Sequence, residues 1–253
     1  MIEPGSLIRA LSGRMAARNY HSFVINEIGV GIVSGAFAVG TILPNDSEMM
    51  AMYGVSRTVL REALKTLEAK GLVEARPKVG TRVSPVSRWS LFDQQVLQWH
   101  YQSGVSPGFL TNLCSIRLSL ERDAVRLACK HRTADHLRMM IYWLQQMDLS
   151  PAGSEPRALA ELELHRMIAD ASQNPFLRAI SPLVEFVITV AVTPDDPAPP
   201  GSDAHVALIA AIEAGDADHA EDLLCQIVAA DLQRGLAQLA RGSIGSIDGA
   251  GGH

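Results

Sequence analysis

Aromatic side chains make up only 5% of this chain, although 47% of its residues are hydrophobic. Its core must therefore be assembled from Leu, Ala, Val, Ile and Met, as in helix bundles. Cysteine is scarce too. Cys114, Cys129 and Cys225 show no C-x-x-C spacing and form no disulfide framework, which suits a reducing cytoplasmic setting. No run approaches the roughly 18 uninterrupted apolar residues of a membrane-spanning helix. The first residues, MIEPGSLIRALSGR, lack the basic start and apolar centre of a secretory signal. A cytoplasmic protein without a membrane partner is the expectation. Catalytic motifs are missing as well: there is no P-loop, no G-x-G-x-x-G and no H-E-x-x-H. Gly104-Val-Ser106-Pro-Gly108 matches the nucleophile-elbow pattern in letters only. An elbow needs the N–H of the residue after the serine, and Pro107 has none. Ser106 as N-cap with Pro107 at the first helical position accounts for the stretch, and no enzyme is expected.

Basic charge is also in deficit, with a formal net charge of −5. The deficit is uneven. Residues 1–86 carry 10 Lys/Arg against 7 Asp/Glu, a local balance of +3, and the remainder is strongly acidic. A nucleic-acid binder needs a basic face rather than a basic whole, so the overall sign excludes nothing.

What is present begins with Leu43–Val83. Two short helical patterns meet at Tyr53-Gly54-Val55. In the second, Val59, Leu60, Ala63, Leu64 and Leu67 share one face by the 3.6-residue period. Arg57, Thr58, Arg61 and Lys65 project from the other. Ser56 is placed as its N-cap and Gly71 as its stop. Such a helix, entered by a tight turn from another, is the recognition element of a helix-turn-helix; alone, it reads more readily as a solvated surface helix, since basic amphipathic helices are common. After it, residues 72–75 and 81–83 alternate as strands around the turn Arg76-Pro77-Lys78-Val79-Gly80. This is a β-wing, with Arg76, Lys78 and Arg82 available to phosphates.

The organisation expected around this stretch is mainly α. Residues 1–17 form a flexible extension, and 18–86 a winged helix-turn-helix opened by a helix over 18–34. Gly29 and Gly31 lie inside that helix at a cost of about 1 kcal/mol each. Residues 87–106 form a linker helix rich in apolar residues, docking on the wing or the second domain. An all-α bundle over 107–241 follows, with helices over 107–131, 133–148, 156–172, 174–192, 203–214 and 216–240. The Gly/Ser-rich tail 242–253 is expected to be disordered.

Here the residues carry a resemblance. LPNDSEMM, YGVSRTVLREALKTLEAKGLVE and KVGTRV, followed by a helical domain, resemble the FadR-type subfamily of GntR transcriptional regulators. The linker RWSLFDQQVLQW and the helix SIRLSLERDAVRLAC look like those of its sugar-acid (galactonate-type) repressors. The resemblance implies DNA contacts from Arg57, Thr58 and Arg61, with Lys78, Gly80 and Thr81 in the wing. It also marks a departure: Ser47 stands where the family often has an arginine.

In the second domain, Glu161 and His165 are four apart and reach one point. His165 belongs to the inward stripe Ala158, Leu162, His165, Ala169, and His205 opens a later helix. Arg117 sits on the stripe Leu110, Leu113, Arg117, Leu120, Ala124. These four suit a small organic acid held by charge-assisted hydrogen bonds. Two plainer readings stand beside it: Arg117 pairing with Glu121 one turn on, and His165 as a hydrogen-bonded core residue. The resemblance adds a possible divalent metal such as Zn. The family's metal ligands fall at Glu161, His165 and His205, and its last histidine falls at Ile227, which cannot ligate.

Taken together, the chain reads as a ligand-responsive regulator, a repressor that binds an operator as a homodimer and answers to a sugar acid. The rival is a metal-dependent sensor or small-molecule binder whose helix-turn-helix contacts protein.

Overall fold

A computed structural model describes residues 5–10, 20–192 and 202–242. Within them the chain divides into two compact units, one formed by residues 20–104 and the other by 5–10 together with 105–242. Among the described residues no helix is long and apolar enough to cross a membrane.

The first unit starts with α2 (Tyr20–Val33), which buries Val24, Ile25, Ile28 and Ile32. Its glycines are explained by close packing rather than tolerated at a cost. A Cβ on Gly29 would lie 2.3 Å from Trp99 Cε2, and one on Gly31 would lie 2.8 Å from the Phe37 ring. Helix α3 (Asp46–Tyr53) opens with a capping box, in which Asn45 accepts from Glu48 N–H while the Glu48 carboxylate accepts from Asn45 N–H. It stops at Gly54, in the left-handed conformation at φ 65°. Two residues later Ser56 caps α4 (Arg57–Ala69), which turns Leu60, Ala63 and Leu67 into the core. β1 (Val73–Arg76) and β2 (Gly80–Val83) pair antiparallel, Val73 opposite Val83 and Arg76 opposite Gly80. The hairpin loop is thus Pro77-Lys78-Val79, shorter than the expected 76–80 turn, and Lys78 itself takes positive φ at 63°. A 3-10 turn (Val86–Arg88) leads to α5 (Gln94–Gln102).

The expected linker helix belongs to this unit. α5 packs on α2, with Trp99 fully buried over Gly29. A large apolar side chain needs a flat partner, and the bare backbone at Gly29 supplies one.

The second unit is a helical bundle of α6 (Pro107–His131), α7 (Ala134–Leu149), α8 (Glu155–Ala171), α9 (Pro175–Arg178), α10 (Ser181–Ala191), α11 (Ser202–Ala214) and α12 (Ala217–Ala240). Ser106 caps α6 by accepting from Phe109 N–H at 3.2 Å, with Pro107 in the first turn. The helix expected over 174–192 is broken into α9 and α10, because Pro182 supplies no N–H to continue it and instead opens a new helix. α10 is buried on every side from Leu183 to Ala191, as its apolar composition requires. It packs against α6, α8 and α12.

Residues 5–10 overturn the expectation of a flexible extension where the structure describes it. α1 (Ser6–Ala10) docks on α8 and α10. Its Ile8 is fully buried beside Leu162, Val184 and Ile188. The N–H groups of Leu7 and Ile8 donate to the buried carboxylate of Glu185 at 2.7 and 3.4 Å. The rest of that extension and the tail beyond Gly242 lie outside the described residues.

Candidate functional site

Two groups of predicted residues take shape, one in each unit. On α4, Arg57, Thr58, Arg61 and Lys65 are all exposed, since the 3.6-residue period that buries Leu60, Ala63 and Leu67 turns them outward. Arg61 lies 3.8 Å from Asp46 across the helix-turn-helix, and Lys65 pairs with Glu62 at 2.8 Å. Exposed pairs of this kind are worth about 0–1 kcal/mol, so phosphate oxygens compete with them readily. Arg57 and Lys78 meet no carboxylate among the described residues. Ser47 is exposed on α3, leaving a hydroxyl where a guanidinium would extend the basic face. In the wing Arg76, Lys78 and Gly80 are exposed and Thr81 is half-buried.

The interior group is assembled differently from the expectation. Arg117 is fully buried, and its donors are committed. Nε donates to Glu121 at 2.6 Å and Nη1 to Asp231 at 2.7 Å, while Nη2 lies 3.5 Å from His165 Nε2. Arg234 reaches Asp231 from its other side. Burial works against the Arg117 charge, but Glu121 and Asp231 outweigh it and push the guanidinium pKa up. Burial likewise works to raise Glu121, yet Arg117 and His165 hold it down at about 2. Asp231 is lowered in the same way, chiefly by Arg117 against its burial. The anion-binding role expected of Arg117 is thereby corrected: two internal carboxylates already occupy its fork. The plainer reading, an Arg117–Glu121 pair one turn apart, holds. Asp231, 114 residues away, was not legible as a partner because nothing in helical periodicity aligns α12 with α6.

His165 is held at Nδ1 by Glu121 Oε1 at 2.6 Å, so both its ring nitrogens face Arg117 or its partner carboxylate. Its ring meets that of His205 edge-on at 5.7 Å. Glu161, His165 and His205 do converge, with one potential ligand atom from each lying within 4.8 Å of the others. A tetrahedral zinc draws its ligands to about 3.4 Å of one another, so this group would have to contract. It would also have to free His165 from its neighbours, with the buried, apolar Ile227 at the position of the expected last ligand. As they stand, these residues do not fit a metal. Glu161 Oε1 is buried without a hydrogen-bond partner among the described residues. Beside His165, on its Glu121 side, lies a cavity of about 10 Å³ lined by Val125, Ile168, Ile180 and Val184, with room for about one water.

Comparison with known proteins matches a family description to each unit. The description "Bacterial regulatory proteins, gntR family" matches residues 21–83, and that of the FCD domain matches residues 112–230. Over 177 residues the chain is 34% identical to the HTH-type transcriptional regulator YieP of Escherichia coli (strain K12), spanning 69% of this chain and 77% of that protein. It is 27% identical over 216 residues to the galactonate operon transcriptional repressor of the same organism, spanning 83% and 94% of the two chains. Among solved structures, that of Lar, which controls expression of the Listeria monocytogenes agr system, superposes with a TM-score of 0.61 over 88% of this chain and 99% of Lar. At 15% identity that likeness speaks for the fold alone. The chain belongs to the GntR family of DNA-binding transcriptional regulators, in the FadR-type branch that joins a winged helix-turn-helix to an FCD effector domain.

Proposed function

We propose that this regulator is a repressor that binds a pseudo-palindromic operator as a homodimer and is released by a small hydroxylated carboxylic acid. DNA reading is assigned to residues 18–86, extended by the α5 segment within 87–106, and effector binding and dimerisation to residues 107–241. Arg57, Thr58 and Arg61 enter the major groove, where a bidentate arginine–guanine pair is worth about 1–3 kcal/mol of discrimination. Lys65, Arg76, Lys78, Gly80 and Thr81 meet the backbone and the neighbouring groove. Dimerisation doubles a site that one recognition helix reads over only a few base pairs.

The observation that carries the effector reading is the buried Glu161 Oε1, without a hydrogen-bond partner among the described residues, beside His165 and His205. A buried acceptor without a donor costs roughly 1–3 kcal/mol, and a ligand hydroxyl removes that cost. Likeness to a galactonate operon repressor favours a sugar acid. With Arg117 internally paired, its role is to orient His165 rather than to grip the acid. The ligand in the bundle then shifts the population of DNA-competent dimers.

The test is fluorescence anisotropy on duplexes from the region upstream of the protein's own coding sequence. A salt-sensitive complex is expected, and its absence from every fragment at low salt refutes the regulator. A thermal-shift screen of sugar acids tests the pocket. A ligand at 100 times its Kd stabilises by about 2.7 kcal/mol, and Glu161→Gln should abolish the shift. No stabilisation by any acid, in wild type or variant, refutes the effector class. The alternative is a divalent metal such as Zn at Glu161, His165 and His205, which these residues do not fit as they stand. Elemental analysis of purified protein finding about one equivalent of metal per chain would favour it over the metal-free site.

A further inference from the structure

Three arginines from separate segments converge on the outer face of the wing. Strand pairing places Glu74 opposite Arg82, and alternation along β1 puts Arg76 on the same face as Glu74. Arg88 arrives from the 3-10 turn after the hairpin. With Gly40 and Pro85 they line an open concavity of about 240 Å³, ample for a phosphate group.

Each arginine is held in place. Arg76 donates to Glu74 Oε1 through Nε and Nη2 at 2.9 and 2.7 Å. Arg88 donates to Glu74 Oε2 at 2.5 Å. Arg82 donates through Nε to the Gly40 carbonyl at 2.8 Å, which leaves that guanidinium with no carboxylate among the described residues. The backbone carrying Arg88 is fixed as well. Gly71, at φ 78°, is crossed so closely that a Cβ there would lie 2.0 Å from the Arg88 carbonyl oxygen. Next to it Ser90 N–H donates to the Lys70 carbonyl at 3.0 Å. A single carboxylate thus serves two guanidiniums, and the third has none among the described residues.

We propose that this hollow, which shares Arg76 with the wing contacts, is a built phosphate site apart from the recognition helix, and that it takes a DNA-backbone phosphate flanking the base-reading contacts. Glu74 is its internal competitor: it keeps Arg76 and Arg88 ordered in the free protein and yields them to the phosphate on binding. Contacts of this kind add affinity without sequence information and show as salt dependence, log K falling by about 0.9 per tenfold rise in salt for each phosphate neutralised. The inference rests on the reading of the chain as a DNA-binding regulator.

The experiment is a salt titration of binding to an operator duplex and to an unrelated duplex, using the full chain. Arg88→Ala should lower the slope by about 0.9 on both, so that its loss of affinity between about 50 and 200 mM salt is roughly three- to fourfold smaller than that of wild type. Glu74→Gln should tighten binding to both duplexes and steepen the slope. Arg88 is exposed, so its removal spares the fold, and a melting curve on each variant checks this. Unchanged slopes in both variants overturn the proposal. Stabilisation of Glu74→Gln by inorganic phosphate with unchanged DNA slopes also overturns it, by making the hollow a site for free anions. If wild type binds no duplex, the regulator reading falls; if wild type binds and Arg88→Ala matches it, only this inference falls.

Discussion

At the scale of single residues, Arg117 decides how the effector domain is to be understood. It is the largest polar side chain that is fully buried, and its charge is acceptable there only because Glu121 and Asp231 meet it at 2.6 and 2.7 Å. Burying an ion costs several kcal/mol in desolvation, and leaving its partner unpaired costs more than the pair contributes. Asp231→Ala should therefore destabilise the second unit by about 3–5 kcal/mol. Replacing the whole cluster, Arg117→Met with Asp231→Leu and Glu121→Gln, should recover much of that loss, because Glu121 would otherwise stay buried without its arginine. Chemical denaturation of the single and triple variants checks it; a triple variant no better than the single would show that the cluster is not energetically closed. Of this group, the turn spacing of Glu161 and His165 and the inward stripe under Arg117 were legible in the sequence. The state of pairing was not. A stripe shows that a side chain points inward, whereas its partner depends on which helix lies opposite.

At the scale of elements, the same rule applies to α2 and α5. Read along the chain, Gly29 and Gly31 are blemishes in a helix, each costing about 1 kcal/mol against alanine. In space they are the seats of Trp99 and Phe37. Two effects therefore compete in Gly29→Ala. Helix propensity favours alanine by about 1 kcal/mol, but a new Cβ 2.3 Å from the buried Trp99 ring forces repacking that typically costs about 1–3 kcal/mol. Repacking should win, because Trp99 is fully enclosed and cannot swing aside. The expected outcome is a melting temperature several degrees lower, measured on the first unit by near-ultraviolet circular dichroism; a higher melting temperature would mean that propensity dominates. The helices themselves were legible where caps and periodicity agree, as at Asn45, Ser56 and Ser106, because those signals act within one turn. The break between α9 and α10 needed Pro182 to be weighed against a continuous apolar pattern, and the pattern masked it.

At the scale of the whole molecule, the chain order is not the order of the units. Residues 5–10 pack in the helical bundle, while the winged unit occupies 20–104. The winged unit has a core of its own, from Val24 to Trp99, and so should fold when cut free. A fragment of residues 20–104 is expected to retain salt-sensitive, low-affinity DNA binding and to lose every response to the acids that stabilise the full chain. Anisotropy on the same duplexes measures both, and an unfolded fragment would show that its core depends on the bundle. The sequence alone determined the fold class, the cap-bounded helices, the wing and the basic face of α4, because each depends on neighbours within a few residues. Tertiary structure alone decided that α1 is a buried element, that α5 belongs to the winged unit, that Arg117 is sealed by Asp231, and that Arg76, Arg82 and Arg88 share one hollow. Those outcomes join residues distant along the chain, where packing complementarity and charge pairing act and periodicity carries no information.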